Sequence, residues 1–399
     1  MIGLLFTIVF FPLVGRVVRG GNAFLAGAGV TGLALFVTMV WHVPMSVTLI
    51  ALSVCGVLAL RGGLAVEKWE KSDIPLVVVS LFLLIATAVL PLADYDGRAF
   101  WVLKAKAIAH EGTIDGPFFH GLTAGNPRNE YPLLVPLDAA AILTVAGDLD
   151  DRHTRWLFAL FAIAFALEIR RRCGPLLSAA FLLLPQILLR TTNGGALTAY
   201  SDIALGAFVA CAFFELVDEG EPWRFGFWVA CVALTKNEGL PLALLLLAAG
   251  AWVFRKRIAT ASIVPAIAIA HLLIWRARIE RSDEENFART LFNVPAHLDR
   301  FGQAFTRLLA NVGNVHDWGL VMVMIAIAFF FARRGRGLAA MIVVPMLFLY
   351  ASAVAVTNWA EVETMNALAP RVLTHLLGPL FFILRDAVQR DTAAAPRPA

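Results

Sequence analysis

Residues 74–92 read "IPLVVVSLFLLIATAVLPL", without one charged side chain. A helix needs roughly 20 predominantly apolar residues to cross a bilayer, and this run has that length. The residues that follow, "ADYDGRAFWVLKAK" (93–106), crowd five charges of both signs together: Asp94, Asp96, Arg98, Lys104 and Lys106. Ionisable groups at membrane depth are costly and usually mark function. The apolar run decides the fold class; the charges after it raise the question of function.

The same pattern continues outward. The chain of 399 residues is 59% hydrophobic and 16% charged, against about 25% charged in soluble domains. Spans are expected at 2–18, 23–41, 46–62, 74–92, 156–170, 174–191, 203–217, 223–235, 239–254, 259–277, 318–332, 338–357 and 371–387. The fold class is therefore all-α: a polytopic membrane protein of about 13 transmembrane helices. Residues 1–73 carry extra N-terminal helices, and 74–387 form the core, with outer loops at 93–155 and 278–317. Residues 388–399 are expected to be a disordered cytoplasmic tail. The first apolar run lacks a basic leader and a small-residue cleavage site, so it reads as a span. Four scattered cysteines show no CxxC spacing, so neither a disulfide framework nor a cysteine metal site is indicated.

Short basic loops stay in the cytoplasm. "GRVVRGG" near 16–22, "RRRCG" at 170–174, "FRKR" at 254–257 and "ARRGRG" at 332–337 all obey this if 131–147 does not cross. That segment contains two prolines and an Asp, and is read as an interfacial or re-entrant helix. Juxtamembrane helices are then expected at 98–111 and 131–147. The N-terminus falls outside, the C-terminus inside, and every unusual polar group lies on the outer face.

Five stretches supply those groups, each with an ordinary structural reading beside the functional one. In 91–106, Asp94 and Asp96 end a span. Lys104 then lies near Phe100 and Trp101 on a helix, while Lys106 points about 160° away at 100° per residue. Snorkelling explains such lysines equally well. In "NPRNEYPLLVP" (126–136), Glu130 precedes a helix start that favours acids. In "TTNGGALTAYSDIALGAF" (191–208), Ser201 or Asp202 can cap the next helix. In "VALTKNEGLPLALLLL" (232–247), Lys236 and Glu238 break an apolar run, which lipid tolerates only inside protein or a cavity. A local Lys–Glu pair in a plain short loop is the other reading. In "NWAEVETMNALAPRVLTHLLGPL" (358–380), Arg371 and His375 are one turn apart and share a helix face, although an Arg at a helix edge usually just meets headgroups. Together these place acids and bases around one outer cavity. An acid can take a proton from a hydroxyl, and Lys and Arg suit a phosphate.

These motifs resemble the membrane-embedded GT-C glycosyltransferases, which use polyprenyl-phosphate sugars. The likeness is to the branch containing the rhizobial lipopolysaccharide galacturonosyltransferases, with the protein O-mannosyltransferases and lipid A aminoarabinose transferases more distant. It rests on "DGRAFWVLKAKA", "NEYPLLVPL", "AYSDIAL" about 30 residues before "LTKNEGL", and "APRVLTHLLGPL", in that order, over roughly residues 74 to 385. Three spans precede the catalytic loop's own span, where one span in all is usual.

The resemblance implies a sugar transfer from a polyprenyl-phosphate-linked donor to a glycan, lipid or protein acceptor, inverting, on the extracytoplasmic side of a bacterial inner membrane. It implies Asp96 as the base, with Asp202 and Glu130 in the catalytic group. Lys236, Lys104 and Arg371 are implied as phosphate contacts, and Asp94, Glu238 and His375 remain further candidates. Some relatives need a divalent cation (Mg or Mn), and the acids here can take one, although no spacing demands it. No nucleic acid is expected as a partner. A transporter or flippase of a lipid-linked or anionic substrate would also want intramembrane charge and a broken helix. Such folds often show repeated halves, and no second copy of "TKNEG" or "DGRAFW" is present.

Overall fold

The computed structural model describes residues 2–62, 68–121, 128–280, 294–332, 335–356 and 362–388. Among them every regular element is helical. Four helices are long and apolar enough to cross a membrane: Ala23–Val40, Lys71–Val89, Gly239–Arg278 and Arg336–Val356. The pair Ala367–Thr374 and Leu377–Val388, bent by 64°, makes a fifth if it is one span. Shorter apolar helices occupy Ile2–Gly15, Met45–Ala59, Leu134–Ala146 and Val321–Phe331. Apolar helices that satisfy their own backbone are what lipid accepts, and this chain is built of them.

The helix α1 (Asp202–Val217) is the axis of the bundle, with all 16 residues buried. Its neighbour α2 (Pro222–Thr235) is buried almost throughout and packs against both α1 and α3 (Ile258–Arg278). The helix Ile74–Val89 instead turns Ile85 (63% exposed) and Val89 (74%) outward. Apolar side chains on the outside and a tightly packed axis, where Ala204, Gly206, Ala207 and Ala210 lie among Phe208, Phe213 and Phe214, are the arrangement expected in lipid, where helices associate by close packing.

The axis helix spans about 24 Å at 1.5 Å per residue, and charge gathers at both ends. At its C-terminal end Glu215 pairs with Arg224 at 3.1 Å, and Asp218 with Arg172. The basic loops meet there. Arg171 donates to the Gly20 carbonyl at 3.1 Å and Arg224 to that of Arg19 at 3.0 Å. Arg257 reaches Glu221 at 3.5 Å, and Gly335 lies against Val217. The N-terminal end of the helix carries Asp202.

Two expected spans are interrupted. The helix expected over 174–191 stops at Leu182 and resumes only as Pro185–Leu188, because Pro185 has no N–H to continue the ladder. The helix expected over 371–387 is split, since Val362–Thr374 ends before Leu377–Val388 begins. Of the expected tail 388–399, Val388 ends the helix Leu377–Val388 and 389–399 lie outside the described residues, as do the arginines Arg281 and Arg289 of segment 278–317. Within that segment, Leu298–Val312 is an amphipathic helix, packed on Arg336–Val356.

Candidate functional site

The site forms where four breaks in helical structure meet at the N-terminal end of α1. The first is the turn after Ile74–Val89. Asp94 Oδ1 accepts the N–H of Asp96 at 3.0 Å and of Gly97 at 3.4 Å, and Oδ2 accepts that of Asn193 at 2.9 Å. Asp94 therefore ties the turn after Ile74–Val89 to the loop before α1. A wide π-type turn over Gly97–Val102 leads into α-helix Leu103–Glu111. Gly97 sits so close to the second loop that a Cβ there would lie 1.9 Å from the Thr198 carbonyl oxygen. No side chain fits, and this contact sets the position of Asp96.

The second and third breaks are at Asp202 and Lys236. Ser201 stands at the helix N-cap with no side-chain capping bond, so the capping reading does not apply. The Asp202 carboxylate is instead fully committed to side chains. Oδ1 accepts from Lys236 Nζ at 2.8 Å and from His375 Nε2 at 2.8 Å, and Oδ2 from Arg371 Nε at 3.3 Å. Asp202 is 0% exposed, and a buried carboxylate is tolerable only with such partners. Lys236, 2% exposed, also meets Glu238 at 3.0 Å. The local Lys–Glu pair of the ordinary reading thus exists, but inside a larger network.

The fourth break is the bend before the last helix. Arg371 lies on one arm and His375 in the turn, so it is the bend that brings both to Asp202, rather than a continuous helix face. A carboxylate cannot accept from a bare ring nitrogen, so His375 Nε2 carries the proton. The Tyr350 hydroxyl bonds Nδ1 at 2.6 Å, completing a buried Tyr–His–Asp chain. Arg371 reaches Asp96 Oδ2 through Nη1 at 3.4 Å and lies 4.2 Å from the Tyr200 ring centroid. Burial pushes the Tyr200 phenol above its usual range, so a neutral ring faces the cation.

Seven of the nine sequence candidates therefore form one network: Asp94, Asp96, Asp202, Lys236, Glu238, Arg371 and His375. Its acids differ in access. The side chain of Asp96 is 25% exposed and that of Glu238 14%, against 0% for Asp202. Lys104 and Glu130 stand beside it. Lys104 is fully buried, donates to the Arg128 carbonyl and lies 5.3 Å from the Tyr131 ring centroid. Lys106 points the other way and pairs with Asp151. Arg276 joins the two parts, donating to the Glu130 carbonyl at 2.9 Å and to the Asn237 side chain. Among the described residues no three His, Cys, Asp or Glu side chains are placed to hold a metal ion.

Sequence reasoning missed Tyr350, Tyr200, Arg276 and Asn193. One signal was available. The chain has only four tyrosines, and Tyr95, Tyr131, Tyr200 and Tyr350 all lie in or beside this region. No protein family, curated protein or solved structure matches the chain.

Proposed function

We propose that this protein is an inverting membrane glycosyltransferase of the GT-C type, with about 13 spans, that transfers a sugar from a polyprenyl-phosphate donor to an acceptor hydroxyl. Its site would open to the extracytoplasmic side of a bacterial inner membrane. The observation that carries this reading is the division of labour in the network: a solvent-accessible acid, Asp96, held against a guanidinium, Arg371, by a deeply buried frame.

The acceptor oxygen forms the new bond to the anomeric carbon as its proton passes to the Asp96 carboxylate. The bond from that carbon to the phosphate oxygen breaks, and the phosphate leaves with the electron pair. Cations placed where that charge grows lower the barrier. Arg371 is the better placed. Its Nε and Nη1 are held by Asp202 and Asp96, and Nη2 makes no hydrogen bond among the described residues. Lys236 is clamped between two carboxylates, so it acts mainly by fixing the frame. For the carrier's tail there is an apolar groove of about 320 Å³ whose walls include Leu373, Leu376 and Phe330. Leu373 and Leu376 lie two and five residues after Arg371 in the chain, so a tail in the groove would run close to the segment that carries the guanidinium.

A buried ion pair at a broken helix also suits a transporter, and one experiment separates the two. The chain is purified into nanodiscs, which have no second compartment, and given radiolabelled polyprenyl-phosphate sugars with an acidic glycolipid acceptor. Labelled acceptor should form with the natural chain and not with Asp96→Asn. If no donor and acceptor pair gives transfer, while vesicles containing the chain move the lipid-linked sugar across the bilayer, the enzyme reading fails.

A further inference from the structure

The face of the first juxtamembrane helix that turns away from Arg371 carries a second feature. A groove of about 380 Å³ is lined by Tyr95, Arg98, Ala99, Leu103, Lys106 and Asp151. Its charges are two cations against one acid. Lys106 is paired with Asp151, whereas the Arg98 side chain is exposed and makes no hydrogen bond or ion pair among the described residues. This isolation is local. Arg152, also on the outer loop, pairs with Asp150 at its own turn, and Arg170 with Asp73. The Tyr95 ring, 67% exposed, is steadied edge-on by Phe100 with centroids 6.1 Å apart. Tyrosine and arginine together are what a protein presents at the level of lipid headgroups.

The surroundings identify the occupant. The groove begins at the end of helix Ile74–Val89, whose outward side is purely apolar: Ile85, Val89 and Leu90 are 63%, 74% and 40% exposed. A ligand seated on Arg98 therefore has an apolar surface running away from it in one direction. Such a ligand has an anionic head and a hydrocarbon tail. We propose that this groove binds the phosphate-bearing headgroup of a membrane lipid, with the phosphate on Arg98 and Lys106 and the acyl chain along Ile74–Val89. The site is separate from the network around Asp202 and does not depend on the proposed transfer. It would fix the depth of the juxtamembrane helix, because the same turn carries Asp96 one residue after Tyr95.

The test uses the full chain, delipidated in detergent and supplied with equal amounts of phosphatidylglycerol and phosphatidylcholine, with adducts counted by native mass spectrometry. The natural chain should retain phosphatidylglycerol preferentially. Arg98→Ala should lower that preference about fivefold, as expected for one basic residue at a membrane surface. Arg98→Lys should keep most of it. Arg257→Ala, an exposed arginine at the other end of the bundle, controls for nonspecific charge and should leave the preference unchanged. Equal retention of the two lipids by the natural chain overturns the proposal. So does an unchanged preference in Arg98→Ala, or displacement of the lipid by millimolar inorganic phosphate, which would mark a free-anion site.

Discussion

Asp202 and Asp96 are both acids on Arg371, yet they differ in burial, and paired substitutions to Asn test whether one serves the frame and the other the proposed transfer. Asp202→Asn keeps the shape and removes the charge. Lys236 at 2.8 Å, His375 at 2.8 Å and Arg371 at 3.3 Å then lose their shared anion. Lys236 keeps only Glu238, and an amide nitrogen placed toward a cation is repelled. Breaking a buried pair from one side costs about 3–5 kcal/mol, and no solvent reaches Asp202 to lessen it. Asp96→Asn removes one 3.4 Å contact from a side chain that is 25% exposed. Partly exposed pairs contribute about 0–1 kcal/mol. Equilibrium unfolding in mixed micelles should therefore show Asp202→Asn destabilised by roughly 3 kcal/mol or more and Asp96→Asn within about 1 kcal/mol of the natural chain. The proposed sugar transfer should fall by about 10²-fold or more in Asp96→Asn, the loss expected if it is the general base. The double variant Asp202→Asn/Lys236→Met should recover part of the lost stability, because it removes the stranded cation along with its anion. If Asp202→Asn is as stable as the natural chain, the network is not the frame described here.

Three further outcomes follow from the same geometry. Arg371→Lys keeps the charge but loses the fork that spans Asp202 and Asp96 and the stack on Tyr200; transfer should drop at least tenfold, since a point charge cannot make both contacts, while unfolding changes less than in Asp202→Asn. Tyr350→Phe removes the hydroxyl that bonds His375 Nδ1, and mixed-micelle unfolding should register about 1 kcal/mol of lost stability. Asp138 is fully buried, and neither carboxyl oxygen has a hydrogen-bond partner among the described residues. Asp138→Val removes that desolvation cost with a side chain only slightly larger and should raise the unfolding midpoint, whereas a lowered midpoint would mean that the carboxyl is satisfied in the folded protein.

Apolar runs and basic loops were legible in the sequence because each depends on local composition. Residues 74–92 cannot be soluble loop, and four arginine-rich loops cannot easily face lipid. The candidates for the site were legible for the same reason: an ionisable residue at the edge of an apolar run stands out wherever its partner is. Breaks were less visible. Pro185 gave a hint of the interruption in 174–191, and Pro379 one of the bend at 375–376, since it has no N–H for the His375 carbonyl; the size of the bend, 64°, was not legible.

The sequence by itself therefore determined that this chain is helical, apolar and made for a bilayer, and which charged residues stand out of place. Only the tertiary structure decided which of them meet. Asp96, Asp202, Lys236 and Arg371 are separated by up to 275 positions, and their distances follow from how α1 packs, how closely Gly97 approaches Thr198 and where the last span bends. The division between a buried frame and an accessible acid is decided there too. Solvent access is a property of the assembled neighbours, and no side chain carries it alone.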